Sequence, residues 1–145
     1  MHVERTFTVR RPVDEVFAYL ADFEHTRDWD PGTVRTTRTA GDGGVGTMYA
    51  NTSSFMGRTT DLTYETVEHR PPSRVVFRGT NDSATTKDTL TFTASGAGTQ
   101  VHYRADFRFT PLVNLVASVV LRRKLEKLAD ETVAQITRVL ERRPA

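Results

Sequence analysis

The chain of 145 residues contains no cysteine, and this absence excludes several kinds of site. It can form no disulfide, no thiolate nucleophile and no cysteine-based metal centre. Its four histidines make no metal-ligand spacing with one another or with a carboxylate, so we expect no metal site. The sequence also lacks a glycine-rich phosphate loop and the nucleophile elbow of a hydrolase. We therefore expect no cofactor.

The chain also lacks an excess of one charge and a long apolar run. The formal net charge is only +2, and the basic residues alternate with acids, as in residues 122–127. Such a run is typical of a solvated helix face, so we expect no nucleic-acid partner. No apolar run approaches the ~18 residues of a transmembrane helix, and the N-terminus has no apolar signal core. These absences favour a cytoplasmic protein without a transmembrane segment.

Most of the chain alternates between apolar and polar residues, and it is rich in threonine. Val3, Phe7 and Val9 predict a half-buried strand over residues 2–10. Pro12 opens a helix, and Asp22 can cap a second, short helix over residues 23–28. About six more strands follow between residues 33 and 109, the last five at 46–55, 58–68, 74–79, 87–94 and 99–109. Because short turns join them, they must be antiparallel, and we expect one α+β domain over residues 1–145.

The last segment, residues 111–143, is predicted to be one long helix with Thr110 as its N-cap and Pro111 at its first position. Its apolar residues form two stripes on nearly opposite faces. The stripe of the second half is Leu121, Leu125, Leu128, Thr132, Ile136 and Val139. The stripe of the first half is Leu112, Leu115, Val116 and Val119.

Two interpretations of this helix remain open. If it is straight, its core-facing row continues through Asn114, Ala117 and Ser118, which are small or polar and leave empty volume over the sheet. The first-half stripe would then be exposed, which marks a portal, a membrane surface or a partner such as a second copy of the chain. If the helix kinks near Ser118, the same stripe turns into the core.

The order strand, two helices, six strands and one long helix resembles the START-like superfamily, also called SRPBCC. The resemblance is greatest to its polyketide cyclase/dehydrase and lipid-transport branch. The segments that carry it are residues 11–17 (RPVDEVF), 29–31 (WDP), 44–47 (GVGT), 64–72 (YETVEHRPP) and 111–143. The resemblance implies a helix-grip fold, in which a curved seven-stranded antiparallel sheet wraps the C-terminal helix. It also implies a hydrophobic cavity that takes sterols, lipids, polyketides or plant hormones in different members.

Strand alternation predicts which side chains face that cavity. In the third strand we choose Tyr49, Asn51, Ser53 and Phe55, because the aromatic residues share that phase; the other phase offers Met48 to Met56. The full set of predicted ligand-binding residues is Tyr49, Asn51, Ser53, Phe55, Tyr64, Phe77, Leu90, Tyr103, Phe107, Asn114, Ala117, Ser118 and Leu121. Asp88 is an inward carboxylate and the candidate acid–base residue.

Three functions are compatible with this pattern. The first is a binding or carrier module for a small hydrophobic molecule such as a lipid, a polyketide or another ring-containing metabolite. The second is an enzyme of the polyketide cyclase or dehydratase type, with Asp88 as base and Tyr103 or Asn51 as oxyanion donor. The third is an interaction module that uses Leu112, Leu115, Val116 and Val119, for example in a homodimer.

Overall fold

Seven antiparallel strands form one sheet, in the order β1-β7-β6-β5-β4-β3-β2. The computed structural model describes residues 1–109 and 115–143, without the side chains of residues 115–117. The strands are β1 (His2–Val9), β2 (Thr33–Ala40), β3 (Met48–Phe55), β4 (Arg58–Arg70), β5 (Arg74–Thr80), β6 (Ala84–Ser95) and β7 (Gly98–Phe109). The helices are α1 (Val13–Leu20), α2 (Thr26–Trp29) and α3 (Leu115–Arg142), and a 3₁₀ turn (Phe23–His25) precedes α2. The predicted α+β helix-grip architecture is confirmed.

The sheet is built from hairpins, and its two edges are the strands β1 and β2. β2 to β7 each pair with the next strand, and β1 then joins the free side of β7, with Phe7 opposite Val101. Register shifts interrupt the β4–β5 pairing at Thr66/Glu68 and the β2–β3 pairing in two places. Such bulges bend a strand and increase its twist, which helps a sheet to curve.

Helix α1 begins after Pro12 as predicted, whereas the short helix predicted over residues 23–28 is a 3₁₀ turn (Phe23–His25) followed by α2 (Thr26–Trp29). Pro12 occupies the N-cap position of α1, and Asp14 and Glu15 lie in its first turn, where the helix dipole favours acids. The carboxylate of Asp22 accepts a hydrogen bond from the Glu24 backbone N–H at 3.0 Å, so its predicted capping role is confirmed. Trp29 is 1% exposed and closes this corner with its ring edge-on to Tyr103.

Two apolar clusters fill the concave side of the sheet. The first cluster joins α1, the 3₁₀ turn and α2 to the sheet and to Ile136 and Leu140 of α3. The second cluster consists of Val3, Ala105, Leu121, Leu125 and Ala129, with Phe55, Tyr103, Phe107 and Phe109 packed against it. Helix α3 therefore packs on the sheet at two places along its length.

Polar contacts fix the position of α3 against β1 and the start of α1. The guanidinium of Arg5 donates to Glu126 at 2.7 Å and to Asp130 at 2.8 Å. Arg11 donates to the Leu140 carbonyl at 2.9 Å, and Glu141 accepts from the Arg10 backbone N–H at 2.9 Å. These bonds link both ends of the second half of the helix to β1 and to the β1–α1 connection.

Helix α3 is unbroken across Ser118, so the helix does not end or restart there. Val119 is 50% exposed, as the straight-helix interpretation requires. The predicted start at Pro111, Leu112 and Asn114 lies outside the described residues, and so do the side chains of Leu115, Val116 and Ala117. Within residues 1–109 and 115–143, no helix is both long and apolar enough to span a membrane.

The predicted buried stripe in the second half of α3 is confirmed at four of its six positions. Leu121, Leu125, Thr132 and Ile136 are buried as predicted. Leu128 and Val139 are only half-buried, and Ala129 and Leu140 occupy the fully buried positions beside them. An α-helix turns 3.6 residues at a time, so one stripe spreads over adjacent positions.

We expect Leu125→Ala to lower the free energy of unfolding by about 2–4 kcal/mol, because it leaves a void in the second cluster. Leu128→Ala should cost only about 1 kcal/mol, because the Leu128 side chain is half-buried whereas that of Leu125 is 2% exposed. Urea denaturation of the two matched variants measures the difference. Equal losses would mean that Leu128 is packed as tightly as Leu125.

Candidate functional site

A cavity of about 170 Å³ lies between the concave face of the sheet and helix α3. Most of its surface is apolar, from Val3, Phe55, Leu62, Ala84, Ala105, Phe107, Phe109, Leu125, Leu128 and Ala129. The polar lining residues are Asp30, Ser53, Ser54, Thr60, Tyr64, Asn81, Thr86, Asp88, Tyr103 and Thr132. Ser54 and Thr60 are exposed, so the cavity reaches the protein surface on that side. An apolar space with a few polar groups is the usual form of a ligand site.

Asp88 on β6 is the most buried charged residue in this lining, at 8% exposure. The Tyr103 hydroxyl donates a hydrogen bond to its Oδ1 at 2.9 Å. The pairing of β6 with β7 explains this contact: Leu90 lies opposite Tyr103, so Tyr103 and Asp88 are diagonal neighbours on one face. Strand alternation alone therefore puts both side chains on the concave face of the sheet.

Asp30 is a second carboxyl in the lining, and it comes from the turn between α2 and β2. Its Oδ1 accepts from the Gly32 backbone N–H at 2.9 Å, and its Oδ2 accepts from the Thr33 hydroxyl at 3.1 Å. The first of these bonds forms an Asx turn, and the two together hold the side chain in place. Asp30 is not among the predicted site residues, because it lies outside the strands whose alternation predicts inward-facing side chains.

Both carboxyls are harder to ionise than an exposed aspartate. The pKa of Asp88 is raised to about 7, chiefly by burial and also by the charge of Asp30, while the hydrogen bond from Tyr103 opposes the rise. Burial also raises the pKa of Asp30, against the hydrogen bonds from Gly32 and Thr33. A pair of carboxyls in a low-dielectric site resists double ionisation. Near neutral pH, Asp88 is therefore present both as the protonated acid and as the carboxylate.

Two tyrosines complete the polar part of the cavity. The Tyr64 hydroxyl accepts a hydrogen bond from Thr86 at 3.1 Å. The Tyr64 ring packs directly over Gly79, where an added Cβ would come within 2.6 Å of it. Burial, together with the charge of Asp88, raises the pKa of both Tyr64 and Tyr103. Both hydroxyls are thus neutral hydrogen-bonding groups at physiological pH.

The structure brings some of the predicted ligand-binding residues to the cavity and not others. Those that line it are Ser53, Phe55, Tyr64, Tyr103 and Phe107, and Asp88 joins them. Their role in binding stays a prediction. The inward phase chosen for β3 is correct, since Tyr49 and Asn51 are also buried beneath the concave face.

Tyr49, Phe77 and Leu90 face inward as predicted but lie in the first cluster and do not line the cavity. The Phe23 ring packs against Tyr49 and Phe77, with ring centroids 5.6 Å and 4.6 Å away, and fills the space above them. Asn51 also lies outside the cavity lining, because its amide donates to Thr36 at 2.9 Å and accepts from Ser53 at 2.7 Å.

The predicted residues of α3 are placed as follows. Leu121 is buried in the second cluster, and Ser118 is half-buried; neither lines the cavity. Asn114 and the side chain of Ala117 lie outside the described residues. The helix lines the cavity instead with Leu125, Leu128, Ala129 and Thr132, one to three turns further along. In the described part of the chain, no group of three His, Asp or Glu side chains could hold a metal ion.

A seven-stranded sheet that grips a C-terminal helix defines the START-like class, and the comparisons with solved structures agree. The fold is similar to a protein from Thermus thermophilus, with TM-score 0.83, 15% identity and 97% of each chain covered. It is also similar to the Zhui aromatase/cyclase from Streptomyces sp. R1128, with TM-score 0.83 and 20% identity over 99% of this chain and 94% of that chain. A START superfamily protein from Mycobacterium smegmatis gives TM-score 0.71 and 16% identity over 97% and 94% of the two chains.

The chain belongs to the family described as polyketide cyclase / dehydrase and lipid transport, whose model matches residues 1–141. The resemblance seen in the sequence is thereby confirmed. No curated protein matches the chain. Membership of this family supports hydrophobic-ligand binding or cyclase activity in general terms.

Asp88→Asn should remove one component of the pH dependence of stability. The pKa of Asp88 is raised in the folded protein, so between about pH 4 and pH 7 the folded chain holds a proton that the unfolded chain has lost. The stability contributed by this proton is complete below that window and is lost as the pH rises through it. From about pH 4.5 to about pH 8, the variant should gain up to ~4 kcal/mol relative to the wild type.

Urea denaturation at several pH values measures this difference. Asp82→Asn, which removes an exposed carboxylate in the β5–β6 turn, is the matched control and should show no such trend. A constant difference between Asp88→Asn and the wild type would mean that Asp88 ionises normally in the folded protein.

Proposed function

We propose that this chain binds a small, ring-containing hydrophobic molecule in the cavity between the sheet and α3. The observation that carries the proposal is the composition of the lining: aromatic and aliphatic side chains on most sides, with Asp88, Tyr103, Tyr64 and Asp30 among the few polar groups. Apolar walls provide affinity, and a few fixed polar groups select orientation. The family to which the chain belongs supports binding of this general kind.

The size of the cavity limits the ligand. A dry cavity of ~150 Å³ lined by apolar side chains admits benzene, and the cavity here is about 170 Å³. One ring with a short substituent is therefore the best match. A multi-ring polyketide or a long acyl chain would need part of its length to extend through the side where Ser54 and Thr60 reach the surface.

A larger side chain on α3 that fills the cavity should block ligand binding. Ala129 is buried and lines the cavity, so Ala129→Leu should weaken the binding of 2-phenylethanol at least about tenfold by occupying its space. Ala134→Leu makes the same change at a position of the same helix that does not line the cavity, and it should leave affinity unchanged. Isothermal titration measures both, and thermal melts check that both variants fold. Wild-type affinity in a folded Ala129→Leu variant would place the ligand elsewhere.

A second candidate is acid–base catalysis of ring closure, and the raised pKa of Asp88 favours it. A general base works best when its pKa is near the operating pH. In an aldol closure, the Asp88 carboxylate would take a proton from a carbon between two carbonyls. The resulting enolate carbon would form a bond to the carbon of a further carbonyl group in the same substrate. The oxygen of that carbonyl group would take up the proton and become a hydroxyl. The Tyr64 hydroxyl could donate to that oxygen as its charge develops.

Product analysis with a linear poly-β-ketone thioester tests this candidate. If Asp88 is the base, Asp88→Asn should lower the rate of cyclisation at least about 100-fold, the usual size of a general-base contribution. Asp82→Asn removes the same charge at an exposed site and should retain the wild-type rate. A product rate no higher than that of the buffer would exclude the enzymatic candidate and leave ligand binding as the function.

A further inference from the structure

The cavity contains acidic groups without basic ones. Within the part of the chain that the structure describes, its lining includes the carboxyls of Asp30 and Asp88 but no lysine, arginine or histidine. The side chains that α3 turns toward the cavity are Leu125, Leu128, Ala129 and Thr132, which carry no charge. A buried carboxylate normally has a charged partner or several hydrogen bonds, because desolvating the charge is costly. Here no protein cation supplies that compensation among the described residues.

The hydrogen-bonding groups of the lining also favour a ligand that donates hydrogen bonds, because most of their own hydrogens are already bonded within the protein. Ser53 donates its hydroxyl hydrogen to Asn51, Thr86 to Tyr64, Tyr103 to Asp88 and Thr132 to the Leu128 carbonyl. These hydrogens are therefore already used within the protein, while the oxygens keep free lone pairs. Among the described residues, none donates to Oδ2 of the buried Asp88. The interior of the cavity therefore offers more acceptors than donors: among the described residues, the hydroxyls that donate to no protein group are that of Tyr64 and, at the exposed rim, those of Ser54 and Thr60.

We propose that the natural ligand of this cavity is a small aromatic or alicyclic molecule that carries a protonated amine, with the ammonium group bound between Asp88 and Asp30. This inference rests on the proposed function, since it names the chemical class of the ligand in the same cavity. An ammonium group supplies two things that the lining lacks, a positive charge and several hydrogen-bond donors. The ring occupies the apolar part of the cavity.

The aromatic side chains of the lining fit the same ligand. Phe107 and Phe109 are stacked with their ring centroids 6.0 Å apart, and both border the cavity together with Phe55 and Tyr103. The face of an aromatic ring attracts a cation, and the attraction grows when the cation is desolvated. A lining that combines aromatic side chains with two carboxyls is thus complementary to a desolvated ammonium group, and it disfavours an anion.

The ionisation of Asp88 links amine binding to pH. The groups that act on Asp88 are Asp30 from the α2–β2 turn, Tyr103 from β7 on the same face, and the charge of Asp106 on the outer face of β7. Tyr64 on β4 is neutral. Below pH 7, Asp88 holds its proton and cannot pair with an ammonium group. Above pH 7, its carboxylate is available, so the preference for an amine should rise with pH.

The test compares 2-phenylethylamine with 2-phenylethanol, which has nearly the same size and no charge. At about pH 8 we expect the amine to bind at least about tenfold more tightly than the alcohol. The ratio of the two affinities should fall about tenfold on going to about pH 6, as Asp88 gains its proton. The amine itself stays protonated throughout this range. Isothermal titration of the full chain at both pH values measures the ratio.

Two variants test whether the preference for the amine depends on Asp88 and Asp30. Asp88→Asn should bring the ratio of affinities toward one and remove its dependence on pH. Asp30→Asn should also lower the ratio, and it serves as the second test should Asp88→Asn fail to fold. Asp82→Asn, with the same loss of charge on the surface, should keep the wild-type ratio at both pH values.

The outcomes separate this inference from the proposed function. If neither compound binds, the proposed function is wrong and the inference falls with it. If both bind but the alcohol binds as tightly as the amine, the cavity is a ligand site and the inference is wrong. Tighter binding of phenylacetate than of 2-phenylethylamine would also overturn it, since an anion would then be the preferred ligand.

Discussion

The packing of α3 against a curved sheet is the constraint on which the rest of this structure depends. The helix meets the sheet in two places, through Ile136 and Leu140 in the first cluster and through Leu121, Leu125 and Ala129 in the second. Leu125 and Ala129 of the second cluster border the cavity, together with Leu128 and Thr132. A straight helix cannot follow a concave surface along its whole length, so a space remains where the two diverge. The ion pairs of Arg5 with Glu126 and Asp130 link this part of the helix to β1.

The carboxyls in that space oppose the stability of the fold. Burial raises the pKa of both Asp88 and Asp30, and the charge of Asp30 adds to the rise at Asp88, which means that ionising these carboxyls costs folding free energy. The Asx turn at Asp30 and the Tyr103–Asp88 hydrogen bond offset only part of this cost. Groups that are unfavourable for folding and point into a cavity are the ones most often tied to function. Asp88 therefore carries the catalytic candidate and, together with Asp30, the proposed selection of an amine.

Family membership and local chemistry answer different questions about this protein. The family fixes the fold and the general class of function, because the helix-grip architecture provides the cavity. One fold supports many activities, so the particular ligand depends on the side chains that line this cavity. The solved structures named above share 20% identity or less with this chain, and at that distance only the arrangement of the backbone carries over. The acidic, donor-poor lining is a property of this sequence.

The sequence by itself determined the strands, their inward faces and the buried stripe of α3. These follow from local periodicity: a strand repeats every two residues and a helix every 3.6, so Tyr103 and Asp88 had to share the face of Phe107. The tertiary structure decided which inward residues meet the cavity. Phe23 covers Tyr49 and Phe77, and no periodicity within β3 or β5 records that contact. The tertiary structure also decided that Asp30, in a turn, reaches the site of Asp88 on β6, because that proximity joins segments 58 residues apart in the chain.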